Sequence, residues 1–378
     1  MEKIRVGIVG TGFSASSHIE ALRRIPFVEV VAVCGSSRDK GHAFAEKMSI
    51  PISYDSVDEL IGDSAIQAVH NCTPNVHHFE INKKVLLAGK HLMSEKPLAI
   101  NSEQTAQLIE LAQKSDTVNG ISFNYRHFPM VSQTKALLES DVNAKSSLVY
   151  GGYAQDWLCF DTDYSWRLDE NKNGVSRAVA DIGSHWCDTI QYILGTRISK
   201  VFADLKTVHP VRKKPKGALN TFEKSNQMEQ EEVKVATEDY GSILFHMEDG
   251  VQGVFTVSQV SAGRKNRLYY EIVADGATYA WDQEKPNELW VGKRNSANEQ
   301  LMKDPVLLYP ASSALAHYPG GHQEGWPDGL KNLCEDFYRK VIDRNHESSF
   351  ATLADGHQIM RLIEAIMESH YTEKWVYL

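Results

Sequence analysis

Residues 3–9 (KIRVGIV) carry an almost unbroken apolar run, which predicts a buried strand. A turn of small residues follows, Gly10-Thr11-Gly12-Phe13-Ser14-Ala15, and then helical spacing from Ser16 to Arg24 with Ile19 and Leu22 apolar. The same alternation recurs. Strands are predicted at Val28–Cys34, Ser53–Ser56, Ile66–Cys72, His91–Ser94 and Val118–Asn124. Helices are predicted at Asp39–Met48, from Val57, at Phe79–Ala88 and at Ser102–Lys114, the last capped by Asn101 or Ser102. Strands alternating with helices predict an α/β fold with a mostly parallel, doubly wound sheet over residues 1–124.

After Tyr125 the period changes. Helices are expected at Pro129–Glu139, Ala178–Leu194, Gly329–Asn345 and Ala351–His370. Between them, Ser146–Ala154, Lys200–Asp204, Ser242–Met247, Gly253–Val260, Tyr269–Ala274, Ala277–Trp281 and Glu288–Trp290 read as strands. Turns such as Glu248-Asp249-Gly250 and Ala274-Asp275-Gly276 join them. Successive strands with short turns predict a second, α+β domain over 125–378 with a large, mainly antiparallel open sheet. Residues 206–237 are polar and rich in Lys and Glu, which suggests a surface excursion.

Composition narrows the function. The 378 residues have a formal net charge of −9, which disfavours a nucleic-acid partner. The dense basic run Arg212–Lys216 is followed by Glu229, Glu231 and Glu232 and reads as solvated. Five scattered cysteines without a C-x-x-C suggest a reducing compartment. No leader pattern or long apolar run is visible, so a cytoplasmic protein without a membrane partner is expected.

The glycine turn is where chemistry enters. Gly10 permits a sharp bend, Gly12 permits close approach of a pyrophosphate, and Ala15 permits tight helix packing. With Thr11, Phe13 and Ser14 they form a dinucleotide cradle at a helix N-terminus. The second strand ends in Ser36, Ser37 and Arg38, without the carboxylate that binds a ribose diol. Hydroxyls and a guanidinium suit a 2′-phosphate, so NADP is favoured over NAD.

Lys96 follows the strand His91–Ser94, at the sheet end where ligands of open α/β sheets bind. Its bland alternative is an ordinary surface pair. Asp181 and His185 are four apart on a predicted helix, with Asp188 continuing their face and Val179, Ile182, Trp186, Ile190 and Ile193 on another side. The pair is either a general base with its orienting carboxylate or a structural contact. No metal is expected, because only His317 or His322 could add ligands and neither has ligand spacing. Tyr153, Asp156 and Trp157 combine stacking and hydroxyl-binding groups suited to a sugar, with core packing as the alternative. His322, with Glu324 and Trp326, is a further polar–aromatic loop that could close a pocket.

Four motifs in order, Gly10–Ala15, Cys72-Thr73-Pro74-Asn75-Val76-His77-His78, Glu95-Lys96-Pro97-Leu98 and Asp181-Ile182-Gly183-Ser184-His185, resemble the Gfo/Idh/MocA family of glucose–fructose oxidoreductase and inositol dehydrogenase relatives. The resemblance implies a Rossmann domain, an antiparallel-sheet domain and a nicotinamide cofactor, with Lys96, Asp181 and His185 acting on a polyol or sugar. It further implies cofactor contacts from Thr73, Pro74, Asn75, His78, Glu95, Lys96, Asn124, Trp166 and Arg167, and a homodimer or homotetramer. The expected activity is an NAD(P)-dependent dehydrogenase of secondary alcohols in sugars, sugar derivatives or cyclitols. The alternatives are a non-catalytic NAD(P)-binding sensor or scaffold and a carbonyl or imine reductase using the same site.

Overall fold

Six parallel strands form the sheet that the N-terminal alternation predicts, in a computed structural model that describes residues 2–140, 145–216 and 229–378. They are β1 (Ile4–Val9), β2 (Val28–Cys34), β3 (Ile52–Tyr54), β4 (Ala68–Asn71), β5 (His91–Ser94) and β6 (Asn119–Ile121). Their order is 6-5-4-1-2-3, with the direction reversing at β1 as in a doubly wound fold. Helices α1 (Phe13–Arg23), α2 (Arg38–Met48), α3 (Val57–Gly62), α4 (His78–Leu87) and α5 (Ser102–Gln113) connect them. Asn101 caps α5, accepting the Gln104 N–H at 2.9 Å. Val6, Ile8, Ala32, Val33, Val69, Leu92 and Met93 are fully buried, which is why these strands read as continuous apolar runs.

The chain divides into two compact units, Met1–Asn124 with Pro327–Met360, and Tyr125–Trp326 with Arg361–Leu378. The sequence reading places 327–360 in the second domain, but this segment packs in the first unit. Residues Ala351–Thr352 add an antiparallel edge strand to β6. From the helix Trp326–Ile342, the Tyr338 hydroxyl lies 2.8 Å from His70 Nε2 on β4. The helical pattern was legible; the core it serves was not, because amphipathicity says only that one face is covered.

The second unit contains helix α6 (Pro129–Ser140) and a nine-stranded sheet. Its central strands are β7 (Ser146–Ala154) and β8 (Gln252–Ser258), which pair in parallel, while every other neighbouring pair is antiparallel. One face packs on the helix Ser184–Leu194, where Trp186 stacks on Phe255 with ring centres 4.5 Å apart. On the other face, register aligns Phe202, Leu244, Val254 and Tyr150 in a row across four strands. No helix among the described residues is long and apolar enough to cross a membrane.

The expected polar excursion at 206–237 is corrected in part. Val211–Pro215 and Gln230–Lys234 pair as a two-stranded antiparallel sheet, and residues 217–228 of that stretch lie outside the described residues. Arg212, expected in a solvated run, is fully buried. It donates to Asp239 at 2.6 Å and to the carbonyls of Leu158, Phe160 and Asp163. Lys213, Lys214 and Lys216 do pair outward, with Asp161, Glu231 and Glu229. A strand alternates its faces, so one cation of a basic run turns inward.

Arg177 is also fully buried and donates to Asp239. Burial would raise the Asp239 pKa, but the Arg177 and Arg212 guanidiniums outweigh it and hold the carboxyl below its ordinary range. Asp239→Ala leaves two buried cations without their anion. It is expected to cost about 3–5 kcal/mol, read as a lower midpoint in chemical denaturation. Wild-type stability from this group is present above the ordinary carboxylate pKa and is lost as pH falls through the depressed one.

Candidate active site

In the first unit, Gly10 has φ of 117°, and a Cβ there would stand 2.6 Å from the Cys72 carbonyl oxygen. Only glycine fits that bend. Gly12 differs. It is the N-cap of α1 with φ −90°, no side chain caps the helix, and its first turn holds no acidic residue. A Cβ on Gly12 would meet nothing within 4 Å. Uncapped helical N–H groups beside open space are what a pyrophosphate requires. Ala15 is fully buried, as close helix–strand packing demands, while Phe13 is exposed and Thr11 and Ser14 are half-buried. Asn124 Nδ2 is buried without a hydrogen-bond partner among the described residues, a donor that a ligand oxygen would satisfy. These features fit a dinucleotide.

Beyond β2, Ser36, Ser37 and Arg38 are exposed. Ser37 Oγ caps α2 by accepting the Lys40 N–H at 3.4 Å, and Arg38 Nε lies 3.6 Å from Asp55. Beyond β4, Thr73 Oγ1 donates to Asn71 Oδ1 at 2.7 Å, Pro74 leads into a short turn, and Asn75 is buried there. His78 is fully buried, with its ring nitrogens 2.6 Å from the Pro97 carbonyl and 2.8 Å from the Thr73 carbonyl. Thr73 and His78, which the resemblance makes cofactor contacts, also brace the loops after β4 and β5. Asn82 adds to that brace, donating to Ser94 Oγ at 2.9 Å.

Lys96 is half-buried directly after β5, at a cis Lys96–Pro97 bond. Its backbone N–H donates to Glu95 Oε2 at 3.1 Å, and Glu95 Oε1 lies 3.0 Å from His18 Nε2. The side chain therefore leaves a backbone anchored through Glu95, at the ligand-binding end of the parallel sheet.

In the second unit, Val179–Gly183 forms a π-helical turn that runs into the helix Ser184–Leu194. From Ser176 to Ile190 every residue is buried except Asp181 and His185. The apolar stripe Val179, Ile182, Trp186, Ile190 and Ile193 takes the core side as expected. Asp188 does not continue the open face. It is buried and bound by Arg126 through two hydrogen bonds, of 2.8 and 2.5 Å. Arg126 covers that side of the helix, which the spacing of helical residues cannot foresee.

Asp181 is held from two sides. Gln259 Nε2 donates to its Oδ2 at 2.9 Å, and Arg167 Nε lies 3.4 Å from Oδ1. Gln259 is oriented in turn, since its Oε1 accepts from Arg177 Nη1 at 2.8 Å. The Arg167 guanidinium sits over the Trp166 ring at 4.6 Å and the Trp157 ring at 5.9 Å. Trp157, Trp166, Arg167 and Asp181 are thus brought together. The His185 ring meets Tyr125 edge-on at 5.2 Å and Tyr153 at 6.3 Å.

Tyr153, expected to bind substrate, spends its hydroxyl internally, 2.7 Å from Tyr125 and 2.5 Å from Asn266 Oδ1. Burial pushes the Tyr125 phenol up to about 12 and raises Tyr153 too, so both remain protonated and neither is a base near neutrality. Asp156 is tied to Lys265 at 2.5 Å and to the Gly263 N–H. His322 is exposed, and Glu324 is consumed by a buried pair with Lys303 at 2.6 Å. Gln259, Arg177, Tyr125 and Asn266 escaped sequence reasoning, because their roles arise from partners distant in the chain.

The arrangement can orient an imidazole and a carboxylate toward a ligand while buried donors fix the carboxylate. Comparison with known proteins agrees in type. The chain matches the family model GFO_IDH_MocA, described as "Oxidoreductase family, NAD-binding Rossmann fold", over residues 4–123, and the GFO/IDH/MocA C-terminal domain over 131–280. It is 27% identical to levoglucosan dehydrogenase of Pseudarthrobacter phenanthrenivorans, over 100% of this chain and 98% of the relative. It superposes on a levoglucosan dehydrogenase complex with NADH and L-sorbose, with TM-score 0.89 and 25% identity over 100% of this chain and 99% of the other. An oxidoreductase domain protein from Kribbella flavida gives TM-score 0.88 and 26% identity at the same coverages.

Because a Cβ on Gly12 meets only open space, Gly12→Ala is expected to keep its thermal midpoint within about 2 °C of wild type. The methyl would occupy the phosphate's place, so NADH affinity, followed by fluorescence titration, is expected to fall about tenfold or more. Unchanged affinity would remove the glycine turn from the cofactor site.

Proposed function

We propose that this chain, which belongs to the Gfo/Idh/MocA oxidoreductase family, is a nicotinamide-dependent dehydrogenase of a secondary alcohol in a sugar, sugar derivative or cyclitol. The observation that carries the reading is the isolation of Asp181 and His185 as the two unburied side chains of an otherwise buried segment, with Asp181 held by Gln259 and Arg167. Full-length similarity to levoglucosan dehydrogenase supports the substrate class.

A bound nicotinamide dinucleotide would supply hydride transfer, held at the α1 N-terminus by the Gly10–Ala15 turn, with Asn124 offering an unmet donor. His185 takes the hydroxyl proton as general base. The Tyr125 and Tyr153 rings pack against the imidazole, and Asp181 accepts from a second substrate hydroxyl. Lys96, in the first unit, offers an ammonium of the kind that stabilises a developing alkoxide. The aromatic faces of Trp157 and Trp166 suit the C–H face of a ring. NADP is favoured over NAD, since Arg38 is 72% exposed and a 2′-phosphate would compete with its 3.6 Å partner Asp55.

The test is a panel of anhydrosugars, hexoses and inositols offered with NAD and with NADP separately, followed at the reduced-nicotinamide absorbance. One or more polyols are expected to turn over, with the higher kcat/KM on NADP. Lys96→Met and His185→Asn are each expected to lower kcat about 100-fold or more, with NADH affinity within about twofold. Cofactor binding without turnover across the panel returns the protein to a sensor role. Full turnover in both variants sinks the assigned roles.

The same reading includes self-association through the open face of the nine-stranded sheet. Leu148, Tyr150, Leu244 and Val254 are exposed there, and an apolar sheet face commonly finds a partner. Light scattering is expected to give a multiple of the 42.4 kDa chain mass. Leu244→Glu is expected to shift it toward one chain. A single-chain mass for wild type would remove the proposal.

A further inference from the structure

Behind the Lys96 turn, the first unit buries a row of polar rings that the proposed chemistry does not use. Tyr338 and His70 are fully buried and His18 nearly so. The Tyr338 hydroxyl lies 2.8 Å from His70 Nε2. His70 Nδ1 lies 2.7 Å from His18 Nδ1, and His18 Nε2 lies 3.0 Å from Glu95 Oε1. Cys334 Sγ belongs to the same cluster, with the ligand atoms of the two histidines and this cysteine within 4.8 Å of one another.

Proton accounting gives the row a direction. The buried Tyr338 hydroxyl has one hydrogen-bond partner among the described residues, His70 Nε2, so it donates there and that nitrogen is bare. A neutral His70 then carries its proton on Nδ1 and donates to His18 Nδ1. His18, bare at Nδ1, carries its proton on Nε2 and donates to Glu95. Every donor and acceptor in the row is matched, with Ser122 Oγ a further neighbour of His18 Nε2 at 3.5 Å. Burial holds the His70 pKa well below its ordinary value, in keeping with a neutral ring. The reverse assignment would strand the Tyr338 proton in a site without water access, at a cost.

We propose that Tyr338, His70 and His18 form a one-way hydrogen-bond chain that ends on Glu95, and that His18 and His70 are positioning residues for Lys96. The mechanical link is the carboxylate. Its Oε1 takes the His18 proton, and its Oε2 accepts the backbone N–H of Lys96 at 3.1 Å. The chain therefore fixes the rotamer that pins the Lys96 amide. The competing use of the cluster is a metal held by His18, His70 and Cys334. Two nitrogens on a tetrahedral zinc stand about 3.3 Å apart, given Zn–N bonds near 2.0–2.1 Å. The observed 2.7 Å is a hydrogen bond.

The kinetic half of this proposal rests on the dehydrogenase reading, so the experiment has two arms. In the first, nitrogen-15 spectra of the full chain at neutral pH, assigned with His18→Gln and His70→Gln, read the ring tautomers without substrate. The expected result is a proton on Nδ1 of His70 and on Nε2 of His18, with no metal by elemental analysis. A proton on Nε2 of His70, or one equivalent of zinc, overturns the chain.

In the second arm, His18→Leu removes the donor to Glu95, while His18→Gln keeps an N–H near the position of Nε2. His18→Leu is expected to lower kcat about 10- to 100-fold, with polyol KM and NADH affinity within about twofold. His18→Gln is expected to restore most of the loss. Wild-type kcat in His18→Leu, or equal loss in both variants, overturns the positioning role. If wild type binds NADH and turns over no polyol, the dehydrogenase reading fails by itself, and the tautomers alone decide the chain.

Discussion

A charge taken out of water must be met by partners, and in the second unit that requirement orders everything around the candidate base. Asp239 is completely buried, and Arg177 and Arg212 are buried with it. Neither guanidinium could sit there without the carboxylate. Arg177 has a further N–H, which goes to Gln259 Oε1. An amide whose oxygen is taken must present its nitrogen elsewhere, and that nitrogen reaches Asp181. Order imposed by desolvation deep in the fold is thus passed through one glutamine to a carboxylate that faces outward.

The first unit uses neutral groups for the same purpose. Asn71, Asn82 and Ser94 form a buried network at the ends of β4 and β5. His78 joins the Thr73 and Pro97 carbonyls. In both units a few half-buried side chains able to meet a ligand stand on a larger set of buried polar groups with no freedom to move. Preorganisation of this kind makes fixed dipoles effective in catalysis, because little reorganisation remains when charge develops.

Residues that look alike in sequence separate according to this accounting. Asp181 and Asp188 both project from one helical segment, yet Asp188 is fully buried against Arg126 while Asp181 stays partly exposed between Gln259 and Arg167. Arg212 and Lys213 are neighbours in one basic run, yet the first is a core residue and the second a surface partner of Asp161. Tyr153 and Trp157 belong to one aromatic stretch, yet Tyr153 closes an internal hydroxyl network while Trp157 faces Arg167. For Asp188, Arg212 and Tyr153 the deciding partner comes from another segment of the chain.

The sequence by itself determined the two sheet types, the glycine turn and the candidates Lys96, Asp181 and His185. Those features are written in local periodicity and in the special backbone demands of single residues. It did not determine that residues 327–360 serve the first sheet, nor that Gln259 and Arg177 order Asp181 in the second unit, nor that His18 meets Glu95 in the first. Local spacing reveals which face of an element is covered, not what covers it, and a polar residue's role depends on which distant group shares its burial. Only the tertiary structure brings those partners within hydrogen-bond distance, and so only it divides the ligand-facing residues from those that hold them in place.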